Sequence, residues 1–232
     1  MDKQSRDGTP TLNPLFFIYP NDSNTFATDL QFFSGESILV SPVTEENSTS
    51  VTIYLPDDRF YDFYTHETIE GAGEEVTLTD IDFTQIPVHI RGGSIIPLRA
   101  KSGYTTTDVR KQPFHLVVAL DREGKASGSL YLDDGDSIEQ AATSHIEFSY
   151  AEGELSISGE FGYTAEQNAI EAITVLGGQG GGDGKPSYRS GGPYSRGGWT
   201  ECSDDEVSRD SGSGAVTVQV AHKLSEGLVV RV

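Results

Sequence analysis

A continuous apolar run, Leu15–Tyr19, lies near the start of the chain between Pro14 and Pro20. A run without polar positions is typical of a strand buried on both faces, as in a parallel sheet. Parallel neighbours require a crossover connection of about a dozen residues or more. Nothing near the run supplies such neighbours. The pattern therefore predicts a strand over Leu15–Tyr19 whose partners lie upstream or on another polypeptide.

Short apolar stretches bounded by turn residues follow, which is typical of antiparallel β structure. After Lys111, apolar residues recur at every second position, and turn signals at 122–125, 133–136 and 152–154 separate the stretches. This alternation predicts a β-sandwich. The predicted strands are 37–40, 49–55, 60–64, 75–78, 88–90, 95–96, 114–120, 130–132, 146–150, 155–157, 173–175, 215–220 and 228–232.

A glycine-rich stretch, 177–214, interrupts this alternation and holds 12 of the 26 glycines. It has few apolar anchors, so the sequence predicts a long loop there. Such long loops are uncommon inside compact domains, and we expect Tyr188, Tyr194 and Trp199 to pin the loop to the surface.

The formal net charge of −20 changes the choice of partners. A chain with this charge repels phosphate backbones and anionic lipid headgroups, so nucleic-acid and membrane partners are not expected. The chain contains no apolar run of the roughly 18 residues that a membrane span needs.

The single cysteine, Cys202, excludes a disulfide within the chain and a cysteine-based zinc cluster. It either pairs with another polypeptide or stays a free or buried thiol, and the second alternative is favoured. Two sequons make Asn21 and Asn47 candidate N-glycosylation sites.

Few residues indicate chemistry of their own. The segment Asp133–Ser137 is similar to part of a calcium loop, but its glycine comes too early, which favours a hairpin turn. The five histidines have no ligand spacing, and His89, His115 and His145 fall in predicted strands. Arg91 precedes two glycines and is suited to bridging carboxylates or carbonyls in a structural role. No catalytic residue, metal site or cofactor is predicted in this chain.

A series of short motifs, in this order, resembles glycoside hydrolase family 31 from about residue 4 to residue 176. In the first half the motifs are Tyr19-Pro20-Asn21-Asp22, Asp29-Leu30-Gln31-Phe32, the segment 35–43, and Tyr54-Leu55-Pro56. In the second half they are Tyr61-Asp62-Phe63-Tyr64, the segment 88–97, and the segment 130–135. Within the family, the motifs are most similar to fungal α-glucosidases.

The resemblance implies the end of a (β/α)8 catalytic barrel over 1–28, a proximal β domain over 29–108 and a distal β-sandwich domain over 109–232. Members of the family are retaining enzymes whose aspartate nucleophile and acid/base lie on earlier barrel strands. Their catalytic motifs have no counterpart here, so this chain alone is expected to be inactive. The expected partner is an upstream catalytic polypeptide, which would bind the oligosaccharide substrate, and secretion is expected.

Two other functions fit the predicted β-sandwich. One is a free-standing carbohydrate-binding module in which Tyr188, Tyr194 and Trp199 stack on sugar rings. The other is a secreted adhesion module. An enzyme tail is expected to co-purify with a larger fragment, whereas a binding module is expected to be stable alone.

Overall fold

A computed structural model describes residues 2–165, 167–178, 185–192 and 195–232. The protein is mainly β, as the alternation predicts. The chain divides into two compact units, of which the first ends at Gly92 and the second begins at Gly93. No helix among these residues is both long and apolar enough to cross a membrane.

The first unit has eight strands, two short α-helices and a 3₁₀ helix. Six strands form an antiparallel sheet in the order β1-β2-β3-β8-β5-β6, while β4 and β7 form a separate antiparallel pair. In chain order the elements are α1 Asp2–Asp7, β1 Leu12–Pro14, α2 Leu15–Ile18, the 3₁₀ helix Ser23–Ala27, β2 Phe32–Ser34, β3 Ile38–Val40, β4 Val51–Leu55, β5 Arg59–Asp62, β6 Thr68–Glu70, β7 Glu74–Leu78 and β8 Val88–Arg91.

A small apolar core lies in the first unit. Leu15, Phe33, Leu39 and Phe60 are completely buried, and Tyr54 is 8% exposed. Burial of each large apolar side chain stabilises the unit by about 1.5–3 kcal/mol.

The predicted strand over Leu15–Tyr19 is wrong. The strand is Leu12–Pro14, which pairs antiparallel with β2 of this chain, and Leu15–Ile18 is a short helix. A five-residue apolar run shows no periodicity that separates a buried strand from one helical turn. The helical turn buries Leu15 completely but leaves Phe17 56% exposed, so the run is not buried on both faces.

In the part that the structure describes, the second unit contains eleven strands in one sheet, with a short helix and a 3₁₀ helix. Its elements are β9 Ser94–Arg99, α3 Thr106–Arg110, β10 Phe114–Ala119, β11 Ala126–Leu132, β12 Ser144–Ala151, β13 Glu154–Phe161, β14 Ala169–Leu176, β15 Ser187–Ser190, β16 Thr200–Glu201, the 3₁₀ helix Asp204–Glu206, β17 Val207–Arg209, β18 Val216–Lys223 and β19 Leu228–Arg231. The strand order is β16-β15-β19-β13-β12-β11-β9-β10-β14-β18-β17.

The sheet is mixed, whereas the sequence predicts an antiparallel sandwich. The pairs β10–β14 and β9–β11 are parallel, and the remaining neighbours are antiparallel. Alternation defines which side chains face the core but carries no information on strand direction. The predicted alternating residues do form the core, which includes Phe114, Leu116, Ile146, Phe148 and Val218.

The glycine-rich stretch 177–214 is not a structureless loop. Its described residues include β15, β16 and β17, of which β15 pairs with β19 and β17 pairs with β18. These short strands join the sheet edges through main-chain hydrogen bonds, which small and polar residues form as well as apolar ones. Tyr188 packs against the core, as expected, whereas Tyr194 lies outside the described residues.

Candidate functional site

Exposed apolar side chains cluster at the start of the first unit. Phe16, Phe17 and Phe26 are 36%, 56% and 60% exposed, and Leu12 is 62% exposed. The Phe16 ring meets Phe17 and Phe26 edge to face, at centroid distances of 5.2 and 6.3 Å. We call these four residues the aromatic face. Contiguous exposed apolar surface of this kind marks binding surfaces.

A groove of about 440 Å³ adjoins the aromatic face. Leu12, Phe16 and Phe26 line it together with Phe32, and Asp29 also contributes to its wall. An apolar groove with one acidic residue suits a protruding side chain of another polypeptide better than it suits a charged small molecule.

Local folding directs these side chains outward. Helix α2 is one turn long and follows Pro14, whose extended backbone (φ −65°, ψ 155°) starts the helix. Leu15 enters the core, which turns the next two residues, Phe16 and Phe17, away from it.

One polar connection behind the aromatic face joins Tyr19, Asp58 and Arg91. The Tyr19 hydroxyl donates to Asp58 Oδ2 at 2.9 Å, and Arg91 Nε donates to the same oxygen at 2.9 Å. The Arg91 guanidinium also lies 5.1 Å from the centre of the Tyr19 ring. Burial raises the pKa of Tyr19, the Arg91 charge opposes this shift and the Asp58 carboxylate adds to it, so the hydroxyl remains a donor. The predicted structural role of Arg91 as a carboxylate bridge is confirmed.

A second polar connection joins Asp22 to Tyr54. The Tyr54 hydroxyl donates to Asp22 Oδ2 at 2.6 Å and accepts from Asn24 Nδ2 at 3.2 Å. Asp22 also caps the 3₁₀ helix by accepting the Asn24 main-chain N–H at 3.1 Å. Burial raises the pKa of Tyr54, and its hydrogen bond to Asp22 adds to this effect. We call the two connections, Tyr19–Asp58–Arg91 and Tyr54–Asp22, the tyrosine clasp.

The candidate glycosylation sites, Asn21 and Asn47, are both exposed. Asn21 directly precedes Asp22 of the tyrosine clasp. Asn47 lies between β3 and β4 with a positive φ of 59°, which asparagine tolerates better than most residues.

The candidate sugar-stacking residues of the second unit are engaged with protein groups. The guanidinium carbons of Arg231 and Arg189 lie 3.7 and 4.8 Å from the Trp199 ring centre. Tyr188 is partly buried against the core. A sugar ring stacking on Trp199 has to compete with these cation–π contacts. The described geometry therefore gives little support to a carbohydrate-binding module.

Asp133–Ser137 begins the connection 133–143 between the antiparallel strands β11 and β12, so the two strands form a hairpin as predicted, with a long loop in place of a tight turn. Asp134 Oδ1 accepts the main-chain N–H groups of Asp136 and Ser137, both at 2.9 Å, and hydrogen bonds lower the pKa of this exposed carboxyl. Within the described ranges, no group of three or more His, Cys, Asp or Glu side chains has a geometry that could hold a metal ion.

Cys202 is 2% exposed in the core of the second unit, so the expectation that it is buried is confirmed. Burial raises the pKa of its thiol, which keeps the sulfur protonated and unreactive at neutral pH.

The residues 8–96 match the family model of the glycosyl hydrolase family 31 C-terminal domain. A probable alpha/beta-glucosidase of Arthroderma benhamiae is 60% identical over 176 residues, which are 75% of this chain and 20% of that protein. The probable alpha/beta-glucosidase agdC of Aspergillus fumigatus is 48% identical over 223 residues, which are 96% of this chain and 23% of the relative. The chain thus spans about a fifth of the length of these relatives.

Solved structures show the same fold. The glucosidase II alpha subunit in its alpha3-Glc2-bound form matches with a TM-score of 0.82 and 26% identity, over 97% of this chain and 26% of that one. The ER glucosidase II complex, which contains a catalytic subunit and the binding domain of a regulatory subunit, matches with a TM-score of 0.81 at 27% identity. The resemblance indicated by the sequence motifs is confirmed.

Proposed function

The chain belongs to glycosyl hydrolase family 31, and from this membership we propose that it forms the C-terminal structural portion of a retaining α-glucosidase. The parent enzyme would hydrolyse or transglycosylate terminal α-linked glucose of oligosaccharides. Retaining hydrolysis needs two carboxyl groups about 5 Å apart, one to attack the anomeric carbon and one to protonate the leaving oxygen. On this proposal both carboxyl groups belong to an upstream catalytic polypeptide.

The aromatic face is the observation that carries the proposed structural role. Three phenylalanines exposed side by side are costly in water. Full burial of an exposed phenylalanine contributes about 1.5–3 kcal/mol, and each of these partly exposed rings would contribute a fraction of that when a partner covers it. The curated relatives are about five times as long as the matched segment, so their remaining length supplies a candidate partner. We assign the aromatic face to docking on the catalytic portion of the same enzyme.

A chimera tests this proposal. The chain replaces the matching segment of the Arthroderma benhamiae relative, and hydrolysis of maltose and of a chromogenic α-glucoside is measured. We expect activity from the chimera and none from the chain alone. When Phe16 and Phe26 of the chimera are both replaced with serine, we expect no soluble, active protein.

The matched control is Ile138→Ser, which removes another exposed apolar side chain, 102% exposed, from a loop of the second unit. It should leave activity unchanged. Turnover by the purified chain alone would refute the structural role, and full activity of the Phe16/Phe26 double variant would refute docking through the aromatic face.

Secretion of the parent enzyme is part of the proposal. The exposed sequons at Asn21 and Asn47 and the strongly acidic composition are compatible with an extracellular glycoprotein. Expression of the parent in a fungal host, followed by assay of medium and cell extract, tests it.

A further inference from the structure

Two residues of the tyrosine clasp, Tyr19 and Asp22, belong to residues 12–27, the segment that carries the aromatic face. We infer that Asp22 and Asp58 are positioning residues, which hold this segment in the orientation that docks on the catalytic portion. The inference rests on the proposed function. It goes beyond that function because it assigns roles to two carboxylates through their contacts with Tyr19, Tyr54 and Arg91.

The two short helices of the segment need contacts outside themselves to keep their orientation, and Leu15, Ile18 and Tyr19 supply part of these contacts by packing in the core of the first unit. Helix α2 is four residues long and the 3₁₀ helix is five, and helices this short are not stable by their own hydrogen bonds. Leu15 is the one residue of α2 that is fully buried. The Phe16 ring contacts Phe17 and Phe26, and none of the three belongs to the apolar core, so core packing does not fix these rings directly.

Asp58 fixes the C-terminal end of α2. Its Oδ2 accepts from Tyr19, the residue after the helix, while Oδ1 accepts the Arg59 main-chain N–H at 2.8 Å. The carboxylate is itself held by Arg91 on β8. Tyr19 is thereby tied to two strands of the six-stranded sheet, because Arg59 lies on β5.

Asp22 fixes the 3₁₀ helix in the same manner. Its side chain caps the helix and accepts from Tyr54 on β4, while its main-chain oxygen accepts from the fully buried Thr25 hydroxyl at 2.7 Å. Phe26 follows Thr25 directly. The direction of the Phe26 ring therefore depends on how firmly Asp22 is held.

Isosteric variants remove the clasp without removing apolar surface. Tyr19→Phe and Tyr54→Phe each delete one hydroxyl and keep the ring. When a binding-competent orientation is populated only in part, the apparent dissociation constant rises in inverse proportion to that population. We expect a rise of about threefold for each variant and about tenfold for the double variant, in keeping with net hydrogen-bond contributions of ordinary size.

The docking experiment uses two polypeptides. The upstream part of the Arthroderma benhamiae relative is mixed with increasing concentrations of this chain, and recovered glucosidase activity is measured. The double variant should raise the concentration that gives half-maximal activity about tenfold and leave the activity at saturation unchanged. Tyr150→Phe is the matched control, since Tyr150 is a buried tyrosine (6% exposed) of the second unit.

Hydrogen exchange of the chain alone separates this inference from the proposed function. The double variant should accelerate amide exchange in residues 16–27 while leaving the strands β10 and β14 unchanged. Unchanged amide exchange in residues 16–27 of the double variant would overturn the positioning role. The same conclusion would follow if its half-maximal concentration for recovered activity rose no more than that of Tyr150→Phe. Failure of the unmodified chain to restore activity at any concentration would instead overturn the proposed function.

Discussion

Gln31 lies between the 3₁₀ helix and β2 and connects this stretch to the strand pair β4–β7, and its replacement by leucine should strongly destabilise the first unit. Its Oε1 accepts the Tyr54 main-chain N–H at 2.6 Å. Its Nε2 donates to the Tyr54 carbonyl at 3.1 Å and to Ser41 Oγ at 3.0 Å. In the described residues β4 pairs only with β7, so this amide serves as the partner on the other edge of β4.

The loss of stability follows from the polar groups that would lose their hydrogen-bond partner. Leucine has nearly the volume of glutamine but forms none of these hydrogen bonds. The N–H and C=O of Tyr54 and the hydroxyl of Ser41 then remain in a region where both residues are under 9% exposed. An orphaned buried polar group costs about 1–3 kcal/mol, so the three groups cost about 3–9 kcal/mol together. That is a large share of the about 5–15 kcal/mol that stabilises a typical domain.

Urea unfolding followed by circular dichroism gives the loss of stability, and amide exchange over 51–55 locates it in β4. Because the chain has two units, exchange in β12 of the second unit should stay slow while exchange in β4 accelerates. Gln219→Leu is the matched control, since Gln219 is exposed on β18. It should change the free energy of unfolding by no more than about 0.5 kcal/mol.

A loss below about 1 kcal/mol in Gln31→Leu would refute this reasoning. It would mean that water replaces the amide at β4, and that Gln31 does not serve as a strand partner.

Three further predictions concern the first unit. Burial lowers the pKa of His89 despite the opposing charge of Asp62, so the folded state favours the neutral imidazole. The free energy of unfolding should therefore fall as the pH drops below about 6.5. Urea unfolding at a series of pH values should show a smaller fall for His89→Gln. Gly71→Ala places a Cβ 2.1 Å from the Pro56 carbonyl oxygen, so the free energy of unfolding should fall by about 1–3 kcal/mol. An unchanged midpoint of thermal unfolding would contradict this close approach. In a secreted parent enzyme, Asn47→Gln should remove one N-glycan, detected as a mass decrease that matches endoglycosidase treatment; an unchanged mass would show that Asn47 is unmodified.

Alternation predicted the second unit well because its strands have one face against the core. In β12 and β18 every second residue is buried, so a period of two in the sequence becomes a period of two in burial. Strand direction was not predictable in this way. The parallel pairing of β10 with β14 depends on the path of the chain between them, which no local pattern encodes.

The candidate site was less predictable because its apolar residues are not buried. An apolar run suggests a core, and Leu15 does lie in one, but Phe16 and Phe17 face solvent. The usable signal was the density of phenylalanines in 16–26 among polar residues, which is unusual for a loop. The tyrosine clasp could not be predicted, since Tyr19 meets Asp58, and Tyr54 meets Asp22, only after the sheet has formed.

The position of β19 has a consequence for the order of folding. This strand pairs with both β13 and β15, so it lies inside the sheet although it follows every other strand in sequence. Until Leu228–Arg231 is in place, β13 exposes an open edge, and β15 and β16 have no sheet to join. Contacts between residues as distant as Leu155 and Val230 form slowly, because a long loop must close first. During synthesis on the ribosome, the unpaired edge of β13 is therefore the surface most in need of protection from aggregation.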